Sequence, residues 1–479
     1  MSDSFLFYDL ETYGIDPRRT RTAQFAAIRT DVELNPVEEP IEFLVQPALD
    51  LLPSPDATLV TKITPQRALR KGINEAEAFS RIADEMTRPG TCTLGYNSLR
   101  FDDEFIRYGL FRNFHDPYER EWRSGNSRWD LLDVLRLAHA LRPDGIRWPQ
   151  RDDGHPSFKL EHLARANNVR NGVAHEALSD VRALIGMARL LRNAQPKLWN
   201  YALRLRDKRQ VAQLLDLEAM QPVLHISQRY PAARLCAAPV LPLARHPWID
   251  NRVIVFDLDS EPDALLTMDA DAITEHLYIR QADLPAGESR IALKQVHLNR
   301  CPALVEWQHL RDADFRRLQI DPALIQRRAG RIREARDDLS KKMRAVFIEV
   351  NHHEPSDPDA SLYQGFIGAE DKRKFTQLRS TPPAQLGQTD FGFRDPRLDE
   401  LLFRYRARNW PMHLNPSEYE RWNAYRRARL TTDLGLSELN FDQAREQITA
   451  LRAFHADDEE RLVLLDQLQA WNLQIEASL

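Results

Sequence analysis

Two acidic residues at a two-residue spacing are the first sign of chemistry in the chain. In Phe7-Tyr8-Asp9-Leu10-Glu11-Thr12 the apolar, β-prone setting reads as a strand, so Asp9 and Glu11 project from one face. Carboxylates held side by side repel and raise each other's pKa unless a cation lies between them, which suits a hard divalent metal. Taken alone, the pair is more simply a solvated strand end. Two further clusters change that. Gly95-Tyr96-Asn97-Ser98-Leu99-Arg100-Phe101-Asp102-Asp103 runs from a strand into a helix, and a carboxylate in the first turn is favoured by the helix dipole. Asp102 and Asp103 are rivals there, and spacing does not choose between them. His175-Glu176-Ala177-Leu178-Ser179-Asp180 opens a helix, with His175 on the lead-in loop, from which it can converge with Asp180.

Four carboxylates and a histidine suit phosphodiester hydrolysis. Two Mg²⁺ or Mn²⁺ ions about 4 Å apart can hold the attacking and leaving oxygens in line, while a neutral His takes the proton of the attacking water. The order D-x-E, then N-x-x-x-F-D, then H-x-x-x-x-D is far more specific than any of its parts.

The elements that must position these residues are legible as short β-rich runs at Phe5–Thr12, Gln24–Thr30 and Thr91–Asn97. Amphipathic stretches follow at 76–87, 101–114, 127–141, 159–168 and 176–193, giving an α/β sheet domain over about the first 195 residues. A helical pattern at 198–217 leads into short apolar runs at 223–227, 240–243, 253–258 and 291–298. These predict a small, mostly β barrel or sandwich closed by a basic helical stretch at 321–346. After a loop at 352–359 the remainder reads as helical, with helices at 396–408 and 416–430 and a long final one from Asp442.

The motif set resembles that of the DEDDh family of 3′–5′ exonucleases and, within it, the bacterial exonuclease I family. The likeness extends over FLFYDLETYG, QFAAIRTD, GYNSLRFDDEF, NSRWDLLDVLR, PSFKLEHLARAN and, far downstream, LLFRYRARNWP. It implies an RNase H-like exonuclease domain with a mixed sheet at 1–195, an SH3-like domain at 196–350 and a helical C-terminal domain at 351–479. It assigns Asp9, Glu11, Asp102 and Asp180 to two Mg²⁺ ions, replaceable by Mn²⁺, and His175 as general base. Asp102 is thereby preferred to Asp103. Thr12 is implied to meet the terminal nucleotide, and Phe101 is a substrate-contact candidate from the composition of its segment. The implied activity is processive 3′-to-5′ degradation of single-stranded DNA to 5′-mononucleotides in repair and recombination.

The resemblance also implies a protein partner, the acidic C-terminal tail of single-stranded DNA-binding protein, received by Arg142, Tyr201, Arg311 and Arg333. Gln221 and Glu306 depart from the family pattern there. A strand-tracking enzyme further needs basic and aromatic side chains along a groove. Phe101, Trp129, Arg147, Trp148, Arg406, Arg408 and Trp410 sit in segments of that composition. Two other functions compete: an exonuclease for RNA or for a polymerase's mismatched end, which the motifs alone do not separate, and a non-catalytic DNA-binding protein.

Composition sets the bounds. The chain has 479 residues, enough for about three domains at roughly 150 residues each. With 43% hydrophobic and 29% charged residues, it is not globally disordered. Its net charge is −5, so a polyanion must be met by local segregation of charge: residues 311–344 hold 11 bases and six acids, whereas the first 60 hold 11 acids and four arginines. Three scattered cysteines form no C-x-x-C pair and suit a reducing compartment. No signal-like N-terminus or run of about 18 apolar residues stands out. The expectation is a soluble cytoplasmic monomer associated with the nucleoid.

Overall fold

The computed structural model describes residues 4–170, 176–280, 283–284, 290–347, 357–432 and 435–479. Strand β1 (Ser4–Thr12) is buried along nearly its whole length, as befits the centre of a sheet covered on both faces. It pairs antiparallel with β2 (Thr22–Thr30), placing Asp9 opposite Ala26 and Glu11 opposite Gln24, and β2 pairs in turn with β3 (Ile41–Leu44). Helices α1 (Pro55–Thr61), α2 (Pro65–Lys71) and α3 (Glu75–Met86) follow, capped by the side chains of Ser54, Thr64 and Asn74. Strand β4 (Thr91–Gly95) then returns parallel to β1, making the sheet mixed.

Next come α4 (Asp102–Arg112), β5 (Ser127–Asp130), α5 (Leu131–Leu141), α6 (Leu160–Ala166) and α7 (Ala177–Ala194). Among the described residues the sheet order is β3-β2-β1-β4-β5. The stretch 127–141, expected as one helix, is a strand followed by a helix. The Asp130 carboxylate accepts from the backbone N–H of Leu132, which caps α5 and fixes the break.

The predicted helix at 198–217 is likewise two, α8 (Pro196–Arg204) and α9 (Lys208–Leu214), because Asp207 caps the second. Then come β6 (Val223–Ile226), β7 (Ala237–Arg245), β8 (Arg252–Asp257), α10 (Asp263–Thr267), α11 (Ala270–Tyr278), β9 (Leu293–His297) and β10 (Ala303–Glu306). The five strands form an antiparallel sheet in the order β10-β6-β7-β8-β9, an SH3-like arrangement cored by Val223, Val240, Val253, Val255, Val296 and Leu304. A register shift falls between Pro242 and Ala244, where a bulge accommodates the proline. The basic stretch 321–346 divides at Ala335 into α13 (Pro322–Glu334) and α14 (Arg336–Val346), preceded by α12 (Asp312–Leu318). The rest is helical: α15 (Ala369–Ser380), α16 (Arg397–Asn409), α17 (Pro416–Thr431), α18 (Phe441–Phe454) and α19 (Glu459–Ala477). The predicted long final helix is thus broken, with Asp458 capping α19.

Contacts divide the chain into two compact units, one of residues 1–127, 170–185 and 353–479 and the other of residues 128–169 and 186–352. In the first unit the C-terminal helices share a core with the helices of the mixed sheet. Tyr108, Phe111 and Phe114 pack with Leu362, Phe375, Leu378, Leu398 and Leu401. A buried ion network runs beside it: Arg408 bonds both Asp50 and Asp359, Arg404 bonds Asp357 and Asp359, and Arg429 lies 3.7 Å from Asp50.

Candidate metal centre and strand-binding surface

The period of a β-strand sends Tyr8 and Leu10 into the core and turns Asp9 and Glu11 to the other face. Strand β4 ends at Gly95, where a Cβ would lie 2.4 Å from the Ser98 Cβ, so only glycine permits the tight turn that follows. Asn97 takes a left-handed conformation and Ser98–Arg100 forms one 3₁₀ turn, which launches α4 with Asp102 in its first turn.

The structure separates the two rivals. Asp103 accepts from the Tyr8 hydroxyl at 2.7 Å and from Arg120 at 2.7 Å, and both partners are buried. It therefore anchors α4 beneath β1, with its charge neutralised by Arg120. Asp102 instead acts electrostatically on Asp9 and Glu11. Asp180, on α7, completes the group: ligand oxygens of Asp9, Glu11 and Asp180 all lie within 4.8 Å of one another. Arg170 donates to Asp180 at 2.6 Å.

Burial, and then the charges of Asp102, Glu11 and Asp180, raise the Asp9 carboxyl well above its usual range. Burial, followed by Asp180 and Asp102, pushes Glu11 up to about 8. Such crowding is costly without a counter-cation, and an all-carboxylate oxygen set selects a hard divalent ion. The donor set therefore fits a divalent metal. The predicted base His175 lies outside the described residues, as does most of the predicted loop at 352–359.

The remaining candidates divide. The Thr12 hydroxyl, at the end of β1, donates to the Gly14 carbonyl at 2.6 Å. Phe101 packs on Phe105, 5.0 Å between ring centres, at the foot of α4. Three of the basic and aromatic candidates lie in the interior. Trp129 is buried against Trp199, Arg406 is buried in a two-bond pair with Glu418, and Arg408 belongs to the Asp50–Asp359 network. Each is committed to the interior, where its type was read as surface chemistry. Trp148 packs on His139, Trp410 on Tyr405, and Arg147 is exposed.

Of the tail-binding set, Arg142 and Arg311 share Asp314, at 2.7 Å and 3.0 Å. Tyr201 stands edge-on to His309, and Arg333 donates to Ala329 within its own helix. Much of the basic stretch is paired locally, for example Arg328 with Glu261 and Arg331 with Asp263.

Sequence reasoning missed an aromatic patch beside α4. Phe366 is 86% exposed and meets Tyr118 edge-on; Tyr363 is 55% exposed and meets Tyr108. Arg107 lies over Tyr118 and donates to the Tyr363 hydroxyl at 3.0 Å, while Glu121 holds it with two bonds. The available signal was the pair of aromatics three residues apart in the polar segment Ser361-Leu362-Tyr363-Gln364-Gly365-Phe366.

This mixed sheet with its converging carboxylates defines a nuclease of the metal-dependent exonuclease class. Family models agree along the chain: an exonuclease model matches residues 6–187, the exonuclease I SH3-like domain 206–349 and the exonuclease I C-terminal domain 356–475. The exodeoxyribonuclease I of Escherichia coli K12 is 43% identical over 466 residues, 97% of this chain and 96% of that protein. A moderately thermophilic exonuclease I from Methylocaldum szegediense superposes with a TM-score of 0.95 at 47% identity, covering 98% of this chain and 99% of the other. A zinc-bound E. coli exonuclease I complex with single-stranded DNA gives 0.93 at 42% identity, covering 99% of each chain. The chain belongs to the exodeoxyribonuclease I family. Among the described residues no helix is long and apolar enough to cross a membrane.

Proposed function

We propose that this chain degrades single-stranded DNA processively from its 3′ end, releasing 5′-mononucleotides in DNA repair and recombination. The observation that carries the reading is the convergence of Asp9, Glu11 and Asp180 within 4.8 Å, with Asp102 acting on the same group. These four carboxylates would hold two Mg²⁺ ions, with Mn²⁺ able to substitute. Bound there, the metal would polarise the scissile phosphate and stabilise charge on the leaving oxygen. His175 takes the proton of the attacking water. Thr12 and Phe101 hold the terminal nucleotide. Tyr363, Phe366 and Tyr118 offer ring faces to the bases upstream, a grip indifferent to sequence, and Arg107, paired with Glu121, holds the Tyr363 hydroxyl in place. The related E. coli complex with single-stranded DNA supports that substrate.

The domain organisation we propose is exonuclease 1–195, SH3-like 196–350 and helical 351–479, acting as a monomer in the cytoplasm at the nucleoid. Arg142, Tyr201, Arg311 and Arg333 would receive the acidic tail of single-stranded DNA-binding protein through charge-assisted hydrogen bonds. Arg311→Glu is expected to weaken tail binding by about tenfold while sparing cleavage of naked DNA. Unchanged affinity by fluorescence anisotropy would remove Arg311 from the site.

The deciding experiment uses metal-stripped protein and a 5′-labelled single strand, with and without Mg²⁺, and a control whose 3′ end is closed in a hairpin. A ladder shortening from the free 3′ end, only with metal, is expected. Equal cutting of the blocked strand would overturn the reading.

A further inference from the structure

The loop that follows β1 is held by side chains from remote parts of the chain. The Glu438 carboxylate, 423 positions away, accepts from the backbone N–H of Ile15 through both oxygens at 3.0 Å and from that of Asp16 at 3.0 Å. Two successive N–H groups converging on one carboxylate form a charge-assisted clamp that a neutral side chain reproduces only in part. Arg112 donates to the Pro17 carbonyl at 3.0 Å and Arg429 to that of Arg19 at 2.7 Å. Inside the loop, Thr12 donates to Gly14.

Gly14, just before the clamped segment, leaves no room for a side chain while Glu438 holds its place. A Cβ there would sit 2.5 to 2.7 Å from the three nearest atoms, all of them in the Glu438 carboxylate. The backbone at Gly14 is thus pressed directly against the clamp. Four positions separate Glu11 from Ile15, so a displacement at the clamped N–H groups reaches Thr12 through a short and otherwise irregular piece of chain.

We propose that Glu438 is a positioning residue of the nuclease site: by fixing Ile15 and Asp16 it sets the turn that presents Thr12 to the 3′-terminal nucleotide. The C-terminal helical segment thereby shapes the reacting end of the substrate as well as packing on the sheet's helices. This rests on the functional reading above, in which the end of β1 meets the terminal nucleotide.

The test is steady-state kinetics of the full chain on a 5′-labelled single strand with Mg²⁺, together with DNA affinity in EDTA, where no turnover occurs. Glu438→Ala should lower kcat about tenfold, as expected for an ångström-scale misplacement at a reacting end, with DNA affinity within about twofold of the parent. Glu438→Gln, which keeps an oxygen for the N–H pair and nearly the same shape, should recover most of the loss. Gly14→Ala should lower kcat in the parent yet cost little more in the Glu438→Ala background, because the atom it strikes is gone. The proposal is overturned if these variants lower only the melting temperature and leave kcat within about twofold, or if the Gly14 and Glu438 effects are fully additive. If the parent chain does not shorten the strand, the functional reading fails and this one with it.

Discussion

The first compact unit buries two groups of acidic residues, and their environments act in opposite directions. Asp50 and Asp359 are fully buried, and burial alone would raise both carboxyls. Arg408 and Arg429 outweigh it at Asp50, and Arg408 and Arg404 at Asp359, so both are held below the ordinary carboxylate range. Asp9 and Glu11 suffer the same burial, but the neighbours that shift them are further acids, and they are pushed up. One group carries its counter-charges in the sequence; the other has the donor set that fits a cation. A buried acid is thus identified as structural or catalytic by what surrounds it more than by its depth.

The largest effect that sharpens this contrast is expected at the acidic group. Asp180→Ala should cut turnover more than about a hundredfold by removing a ligand, while DNA binding and the far-ultraviolet dichroism persist. Activity above a few per cent of the parent would take Asp180 out of its role. At the neutralised group the cost falls on stability. Asp359→Asn removes the acid that Arg404 and Arg408 share, leaving Asp357 and Asp50 as their remaining buried partners, and should lower the unfolding free energy by about 2–3 kcal/mol in urea, with Mg²⁺ affinity unchanged.

The pH dependences should oppose each other as well. The raised carboxyl of Glu11 means the folded, metal-free protein keeps a proton that the unfolded chain releases. Stability in EDTA should therefore fall as pH rises from about 4.5 to about 8, and Mg²⁺ or Glu11→Gln should flatten that slope. Asp50 and Asp359 contribute stability above their ordinary range that is lost as pH falls below it. An identical slope in the parent and Glu11→Gln would break the comparison. The smallest effect is at an exposed pair, Lys62 with Glu460, 2.6 Å apart; Glu460→Ala should change stability by less than about 0.5 kcal/mol.

The carboxylate set was readable because strand period and helix onset are local: Asp9 and Glu11 share a face through alternation, and Asp180 follows a helix start. The choice of Asp102 over Asp103 was not, since it depends on Arg120 and Tyr8, brought to Asp103 from other elements. The settings of Arg406 and Arg408 were not legible for a related reason. Composition makes an arginine next to a tryptophan look like a nucleic-acid contact, and only tertiary packing reveals Glu418, Asp50 and Asp359 as their partners. The helix breaks at 205–207 and 455–458 lie inside continuous amphipathic patterns, where a single capping aspartate, Asp207 or Asp458, decides the outcome. Strand β10 was missed because four residues give alternation too little length to register.

The first unit is assembled from three separated stretches of chain, the last of which begins at residue 353. On the ribosome, Asp9, Glu11, Asp102 and Asp180 are all made within the first 180 residues, while Arg408 and Arg429, which help to neutralise Asp50, are added more than two hundred residues later. Until then Asp50 has only Arg21 among its counter-charges and the sheet's helices lack part of their core, and contacts of such long sequence separation form late and slowly. A chain made only as far as residue 185 therefore carries the acidic group without the C-terminal helices that complete its unit.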